Sequence, residues 1–371
     1  MNFRGLPWLA CVVVGALTFV GCSDDSKSSE FTGTANYTGP GSFYDLQLDN
    51  DEGTFTLAVK EDSQAADPDF TVTGSFVRHD SGFLTFTVEE VDPEDAPEGP
   101  TAGDTADGFE IPGYAFILKP TGSDENHVIP MLISGECPTA DFDANWLIAQ
   151  NDDPGRDASD AMQDWFGTFS YDHSESKGTV SEKYSIAAPD TDLLDPNEID
   201  VSSCDGGLLH LDEGGGDLVD MWLTKNGAMV HAYGAGHSST ILALPRPSDA
   251  LDLADFEGTY SGLVVQGAHD DAEIFPVKLA MSDDGTGSGS RITDIETDAT
   301  ESEEAEVELT DAQATIEDGW FTGTISIGAD TGNLACAGNT GIGSLAKNLL
   351  FCIGQSPDTP SNHFILLFVS R

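Results

Sequence analysis

The side chains of this chain alternate with a period of two. Phe55, Leu57 and Val59 alternate with Thr54, Thr56 and Lys60, and Phe70, Val72 and Phe76 alternate with Thr71, Thr73 and Ser75. Val219, Met221 and Leu223 share one strand face, and Phe321, Ile325 and Ile327 share another beside Gly323. Such alternation marks half-buried antiparallel strands, because successive side chains of a strand point to opposite faces. The pairs Asp205-Gly206, Gly214-Gly215, Asp284-Gly285 and Asp318-Gly319 fall between these runs. They supply the positive φ that tight hairpins need. Helical periodicity is confined to short stretches near Ala158–Asp164 and Ser248–Ala254. The expected fold class is all-β: two or three antiparallel sandwich or barrel meanders.

The first 22 residues follow a different logic. Arg4 precedes an apolar run from Leu6 to Val20, which is followed by Gly21 and Cys22. A run this short, broken by Gly15, suits the apolar region of an export signal better than a spanning helix, which needs about 20 apolar residues. The order Leu17-Thr18-Phe19-Val20-Gly21-Cys22 resembles a bacterial lipoprotein signal peptide, with Phe19 where that family favours Leu. The resemblance implies cleavage before Cys22, lipid on its sulfur and acylation of its new amine. Two or more acyl chains give stable anchoring, at about 0.8 kcal/mol per buried CH2. Residues 22–30 are polar and read as a flexible tether. Ser23 resembles the residue found there in lipoproteins sorted to the outer membrane, so the expected address is the bacterial cell envelope.

Charge excludes whole classes of function. Cleavage leaves 13 basic and 66 acidic residues. Nucleic-acid affinity comes from Lys and Arg neutralising phosphates, so nucleic-acid binding is excluded as a main role. Adsorption to anionic lipid is disfavoured for the same reason, which leaves lipid on Cys22 as the expected link to the membrane. Self-repulsion of this size is tolerable where salt screens it or a large surface spreads it, as in a saline habitat.

The mature chain keeps Cys137, Cys204, Cys336 and Cys352 besides Cys22. Four cysteines in an exported protein suggest two disulfides, with three pairings open. Cys336–Cys352 closes a short loop and is favoured, which leaves Cys137–Cys204. No Cys-x-x-Cys is present, so redox chemistry and structural zinc are not expected.

A weak repeat suggests boundaries. Glu30-Phe31-Thr32-Gly33-Thr34 is similar to Asp164-Trp165-Phe166-Gly167-Thr168 and to Asp255-Phe256-Glu257-Gly258-Thr259, at spacings of 134 and 91 residues. The expected units are a signal peptide 1–21, a tether 22–30, a β domain 31–152, a smaller β unit 160–247 and a β domain 255–371. The smaller unit is short for an independent barrel. The repeated aromatic reads as a plug at a barrel mouth, with the glycine allowing close backbone approach. A Gly-Thr-aromatic start also resembles small bacterial lipocalin-like barrels, over five or six residues. Two acidic inserts, 89–107 and 294–311, read as loops.

Catalytic signals are weak. There is no Gly-x-Ser-x-Gly elbow and no His-Glu-x-x-His. Gly236-His237-Ser238 reads as a turn, and His231, beside Met229 and Tyr233, reads as a strand residue. Carboxylate pairs are guaranteed by 66 acids and carry no information about glycoside hydrolysis. No cofactor is expected, except that structural calcium has candidate ligands in two turns. These are Asp49 and Asp51, and Asp190, Asp192 and Asp195, which gather hard oxygen donors without EF-hand spacing. The competing reading is a solvated acidic turn. The expected role is non-enzymatic: binding, adhesion or envelope structure, with a glycan or protein as ligand. Two alternatives remain, an extracytoplasmic hydrolase of polysaccharide or ester and a carrier with an apolar cavity in the last unit.

Overall fold

A computed structural model describes residues 31–371. The exceptions are 40–43, 61–66, 95, 97–98, 112–114, 121–128, 134–136, 153–163, 187, 193–196, 206–207, 213–217, 224–228, 235–236, 267–272, 301–305, 316–318, 343–346 and 357–362. The fold is all-β, in three sheets.

The first sheet is a closed barrel of β1 (Thr34–Thr38), β2 (Tyr44–Asp49), β3 (Thr54–Val59), β4 (Phe70–Arg78), β5 (Phe83–Asp92), β6 (Thr105–Ile111), β7 (Ala115–Pro120) and β8 (Ile129–Ile133). The second contains β9 (Phe142–Asp152), β10 (Trp165–Asp172), β11 (Lys177–Ser185), β12 (Ala188–Asp192), β13 (Asn197–Asp205), β14 (Leu208–Asp212), β15 (Leu218–Leu223), β16 (Met229–Gly234) and β17 (His237–Pro245). The third contains β18 (Gly258–Gln266), β19 (Glu273–Met281), β20 (Gly287–Asp294), β21 (Ala299–Thr300), β22 (Glu306–Thr315), β23 (Trp320–Ile327), β24 (Asp330–Ile342), β25 (Lys347–Gln355) and β26 (His363–Ser370).

The second and third sheets have the same topology, strand for strand. β9 pairs with both β10 and β17, as β18 pairs with both β19 and β26. β10 also pairs with β11, as β19 pairs with β20, so eight strands close each barrel. β12 and β21 are extra edge strands after the third barrel strand.

This topology corrects the boundaries expected from sequence. Residues 142–152 do not end the first unit; they open the second barrel, which makes that barrel full-sized. The repeat is corrected with them. Trp165 opens the second strand of its barrel, whereas Phe256 precedes the first. The counterpart of Ala254-Asp255-Phe256-Glu257 is Ala140-Asp141-Phe142-Asp143, just before or at the start of β9. Phe31, Phe142 and Phe256 are then 111 and 114 residues apart, a near-regular tandem array. The acidic insert 294–311 is also only partly loop, since it contains β21 and the start of β22.

The chain divides into two compact units. Of the described residues, one holds those within 31–78, 84–108 and 117–131; the other holds those within 79–83, 109–116 and 132–371, including the second and third barrels.

The interior of the third barrel is filled by its own side chains. Tyr260, Phe275, Leu279, Leu309, Phe321, Ile325, Leu350, Phe364, Leu366 and Phe368 all pack in one buried cluster with the Cys336–Cys352 disulfide. An eight-stranded barrel is just wide enough for this. Each such aliphatic or aromatic residue contributes about 1.5–3 kcal/mol by leaving water.

One end of the barrel is closed by the 3-10 turn Leu253–Phe256. Phe256 lies 6.3 Å from Phe321, and its backbone carbonyl accepts the Tyr260 hydroxyl at 2.9 Å. A Cβ on Gly338 would sit 2.4 Å from the Phe256 ring, so glycine there lets the plug seat. Burial pushes the Tyr260 phenol up to about 12.

β25 and β26 are buried on both faces. Leu349, Phe351 and Ile353 are as buried as Leu350 and Cys352, because β9 and β17 of the second barrel pack near the outer surface of β24, β25 and β26. That explains why Leu349–Ile353 and Phe364–Val369 are continuous apolar runs rather than alternating ones.

Candidate functional site

Two built sites among the described residues are places where a turn sits on the outer face of a barrel. In the first, Gly319 precedes and Trp320 opens β23, the fifth strand of the third barrel. Trp320 points away from its own barrel, since Phe321, Ile325 and Ile327 point in. It lies 5.2 Å from Phe166 on β10 and is 4% exposed. Gly319 has φ 79°, and a Cβ there would meet Pro247 at 2.7 Å and Asn145 of β9 at 2.8 Å. Nearby, the Asn339 side-chain amide donates to the Pro245 carbonyl at 2.6 Å.

The second site uses the turn at residues 79–83, between the fourth and fifth strands of the first barrel. Gly82 has φ 85° and packs its Cα side against Ser261 of β18. Ser81 is fully buried. Its hydroxyl donates to the Ile295 carbonyl at 2.7 Å, and its own carbonyl accepts from the Ser261 hydroxyl. Arg371 Nε donates to Ser261 Oγ at 2.7 Å, while its two terminal nitrogens grip Asp298 at 2.7 and 2.8 Å. Lys278 of β19 reaches the same carboxylate at 2.5 Å. The Arg371 and Lys278 hydrogen bonds hold the Asp298 carboxyl down at about 2, against a smaller opposing effect of burial. The serine hydroxyls here donate to backbone carbonyls, so the arrangement is a clamp and not an activated nucleophile.

A third contact joins the strand starts. Asp164 precedes β10, His363 opens β26, and the imidazole Nδ1 lies 2.9 Å from the Asp164 carboxylate with both side chains buried.

The acidic turns expected to hold calcium serve local structure where they are described. Asp49 Oδ1 accepts the N–H groups of Asp51 and Glu52, both at 3.0 Å. The hairpin between the second and third strands of the other barrels is built alike. Asp172 accepts from the Glu175 N–H and the Ser174 hydroxyl, and Asp284 from the Thr286 N–H and hydroxyl. Hydrogen bonds from Ser174 and from Thr286 pull the Asp172 and Asp284 carboxyls below the usual range. Asp51 is exposed. Asp190 and Asp192 lie on β12, a different barrel from Asp49, and nothing is described of their side chains; Asp195 lies outside the described residues. Among the described residues, no group of three or more His, Cys, Asp or Glu side chains converges.

Both disulfides of the favoured pairing are present. Cys336 and Cys352 face each other in register across β24 and β25. Cys137, on the lead-in to β9, joins Cys204 on β13. That bond therefore sits within the second barrel's own sequence and does not link two domains. Cys22 lies outside the described residues, as do the side chains of His231 and His237.

The docked turns have a sequence signal that alternation alone does not reveal. The residues before the fifth strand of each barrel read Asp80-Ser81-Gly82-Phe83, Asp205-Gly206-Gly207-Leu208 and Asp318-Gly319-Trp320. Each is an acid, one or two small residues ending in glycine, and then a large apolar residue.

No family model matches the chain, and no curated protein matches it. Among solved structures, it is similar to a transferrin-binding protein B mutant from Haemophilus parasuis, at 10% identity and TM-score 0.28, covering 88% of this chain and 65% of that one. The corresponding protein of Neisseria meningitidis gives the same four values. HpuA from Kingella denitrificans, in complex with human haemoglobin, is 11% identical with TM-score 0.27, covering 64% of this chain and 90% of that one. The chain thus spans just under two thirds of the transferrin-binding proteins.

Proposed function

We propose that the protein is a lipid-anchored envelope protein that binds a polypeptide partner on the outer faces of its barrels and catalyses no reaction. The observation that supports this is the use of barrel faces as receptors for turns. Ser261 on one barrel, and Asn145 and Phe166 on another, each meet a glycine turn. The packed interior of the third barrel directs recognition outward. The charge of the chain favours a partner with a basic surface, whose approach it would steer.

The anchor and the binding role are tested separately. Mass spectrometry of the mature N-terminus should find lipid on Cys22, and Cys22→Ala should move a folded protein into the soluble fraction. A Cys22→Ala protein that stays with the membrane would overturn the anchor. Photo-crosslinking from exposed barrel positions in intact cells should give polypeptide adducts. Adducts to polysaccharide alone, or saturable uptake of a fatty-acid probe into the third barrel, would overturn the binding role as stated.

A further inference from the structure

The second and third barrels share a topology, so their strands can be compared residue by residue. Trp146 of β9 and Tyr260 of β18 hold the same place, four residues after Phe142 and Phe256. Their neighbours differ. Tyr260 lies in register between Leu279 and Ser370, and Trp146 between Gly167 and Ala243. The indole therefore has almost no side chain beside it on either adjoining strand. Trp146 is 5% exposed and packs with Ala144, Phe169, Tyr171, Val201 and Leu209. These residues come from strands around the barrel, which places the indole inside it.

The polar atoms of the two rings also meet different things. The Tyr260 hydroxyl donates to the Phe256 carbonyl and so ties the plug to the ring beneath it. The Trp146 indole N–H is buried and meets no acceptor among the described residues. It does not hold Phe142 as Tyr260 holds Phe256. Phe142 is only half-buried, over Tyr171 at 5.3 Å and Phe169 at 6.1 Å, whereas Phe256 is fully buried. A buried donor without an acceptor is costly, and native interiors avoid it.

We infer that the second barrel binds a small, neutral, planar carbonyl compound beneath Phe142, with its oxygen accepting from Trp146 Nε1 and its ring against Phe169 and Tyr171. The described cluster offers a donor and no cation, so a carboxylate would be buried without a counter-charge. The net charge of the chain, -52, also repels anions. A lone water needs about two to four polar partners, and the side chains packed around this indole are aliphatic or aromatic. They suit an acceptor carried on an apolar body, whose ring can stack or meet theirs edge to face. This interior position is separate from the outer faces that receive turns.

The test uses the mature chain with Cys22→Ala, so that anchor lipid cannot take up the probe. The probe is prodan, a neutral naphthyl ketone whose emission shifts to the blue in an apolar site. Titration should saturate at one ketone per chain. Trp146→Phe keeps an aromatic ring and removes the donor. It should weaken the ketone about fivefold, leave naphthalene binding unchanged and raise the infrared carbonyl stretch of the bound ketone. A naphthoate anion should bind more weakly than the ketone. Unchanged naphthalene binding reports that the barrel is still folded. No saturable ketone binding to the parent chain would overturn the inference. So would ketone affinity untouched by Trp146→Phe, or equal loss of ketone and naphthalene.

Discussion

Asp164 and His363 meet in the interior of the second unit, 199 residues apart in sequence, with the imidazole Nδ1 2.9 Å from the carboxylate. Neither side chain is more than 2% exposed. An acid that the sequence presents as one member of a motif is in fact a long-range partner, fixing the start of β10 to the start of β26.

Breaking this pair should cost more than deleting both members. Asp164→Leu or His363→Leu leaves the other buried group without this partner and should destabilise the protein by about 3–5 kcal/mol. Asp164→Leu with His363→Leu should cost less than the two single changes together. Urea unfolding of the four proteins closes the cycle, and additive losses would show that the pair is uncoupled.

The Arg371–Asp298 clamp carries a pH dependence of known sign. The folded-state carboxyl is depressed from 3.8 to about 2, so its contribution is fully present above about pH 4 and is lost as pH falls through 2. At neutral pH it is worth about 1 kcal/mol: one pKa unit is about 1.4 kcal/mol, and solvent screening at this carboxylate reduces what the shift yields. Asp298→Asn should therefore be less stable than the parent at pH 6, and the gap should close between pH 4 and pH 2. A gap constant across that range would refute the assignment.

Glycine substitutions should separate backbone strain from docking. Gly33 has φ 72° with nothing within 4 Å of an added Cβ, so Gly33→Ala should cost about 1–2 kcal/mol from conformation alone. Gly319 has φ 79° and a Cβ there strikes Pro247 and Asn145, so Gly319→Ala should cost about 2–4 kcal/mol. Thermal unfolding compares the two, and equal losses would mean that the turn tolerates displacement.

The disulfides should differ in worth by loop length. The 16-residue separation of Cys336 and Cys352 corresponds to about 3 kcal/mol and the 67-residue separation of Cys137 and Cys204 to about 4 kcal/mol in the chain-entropy model. Paired Cys→Ala variants, unfolded in urea, check both values. The Cys336–Cys352 pair also fills core volume, so Cys336→Ala with Cys352→Ala should exceed the entropic figure by the cavity it leaves.

Much of the local structure was readable from the residues. Phe55, Leu57 and Val59 announce a strand by alternation, and Asp284-Gly285 announces the turn it makes. The cysteine pairing could be favoured by loop length, and the plug at Phe256 by its aromatic and glycine. The second barrel was not readable in the same way. Asp164-Trp165-Phe166-Gly167-Thr168 matches Asp255-Phe256-Glu257-Gly258-Thr259 better by eye than Asp141-Phe142-Asp143 does, yet it opens a second strand and not a first. The eye weighs Gly and Thr, which recur wherever a strand begins. The topology weighs hydrogen bonds, and those place β9 between β10 and β17.

Sequence by itself determined the strand class, the turns, the extreme acidity and the lipoprotein-like start ending at Cys22, because these depend on side-chain period, local φ and net charge. Tertiary structure decided which strand closes each barrel, and that Trp320 and Ser81 are buried against other barrels' faces. Those outcomes depend on pairing across 100 residues or more, where many registers satisfy the same alternation. Only the combined burial of both faces, as at β26, selects one of them.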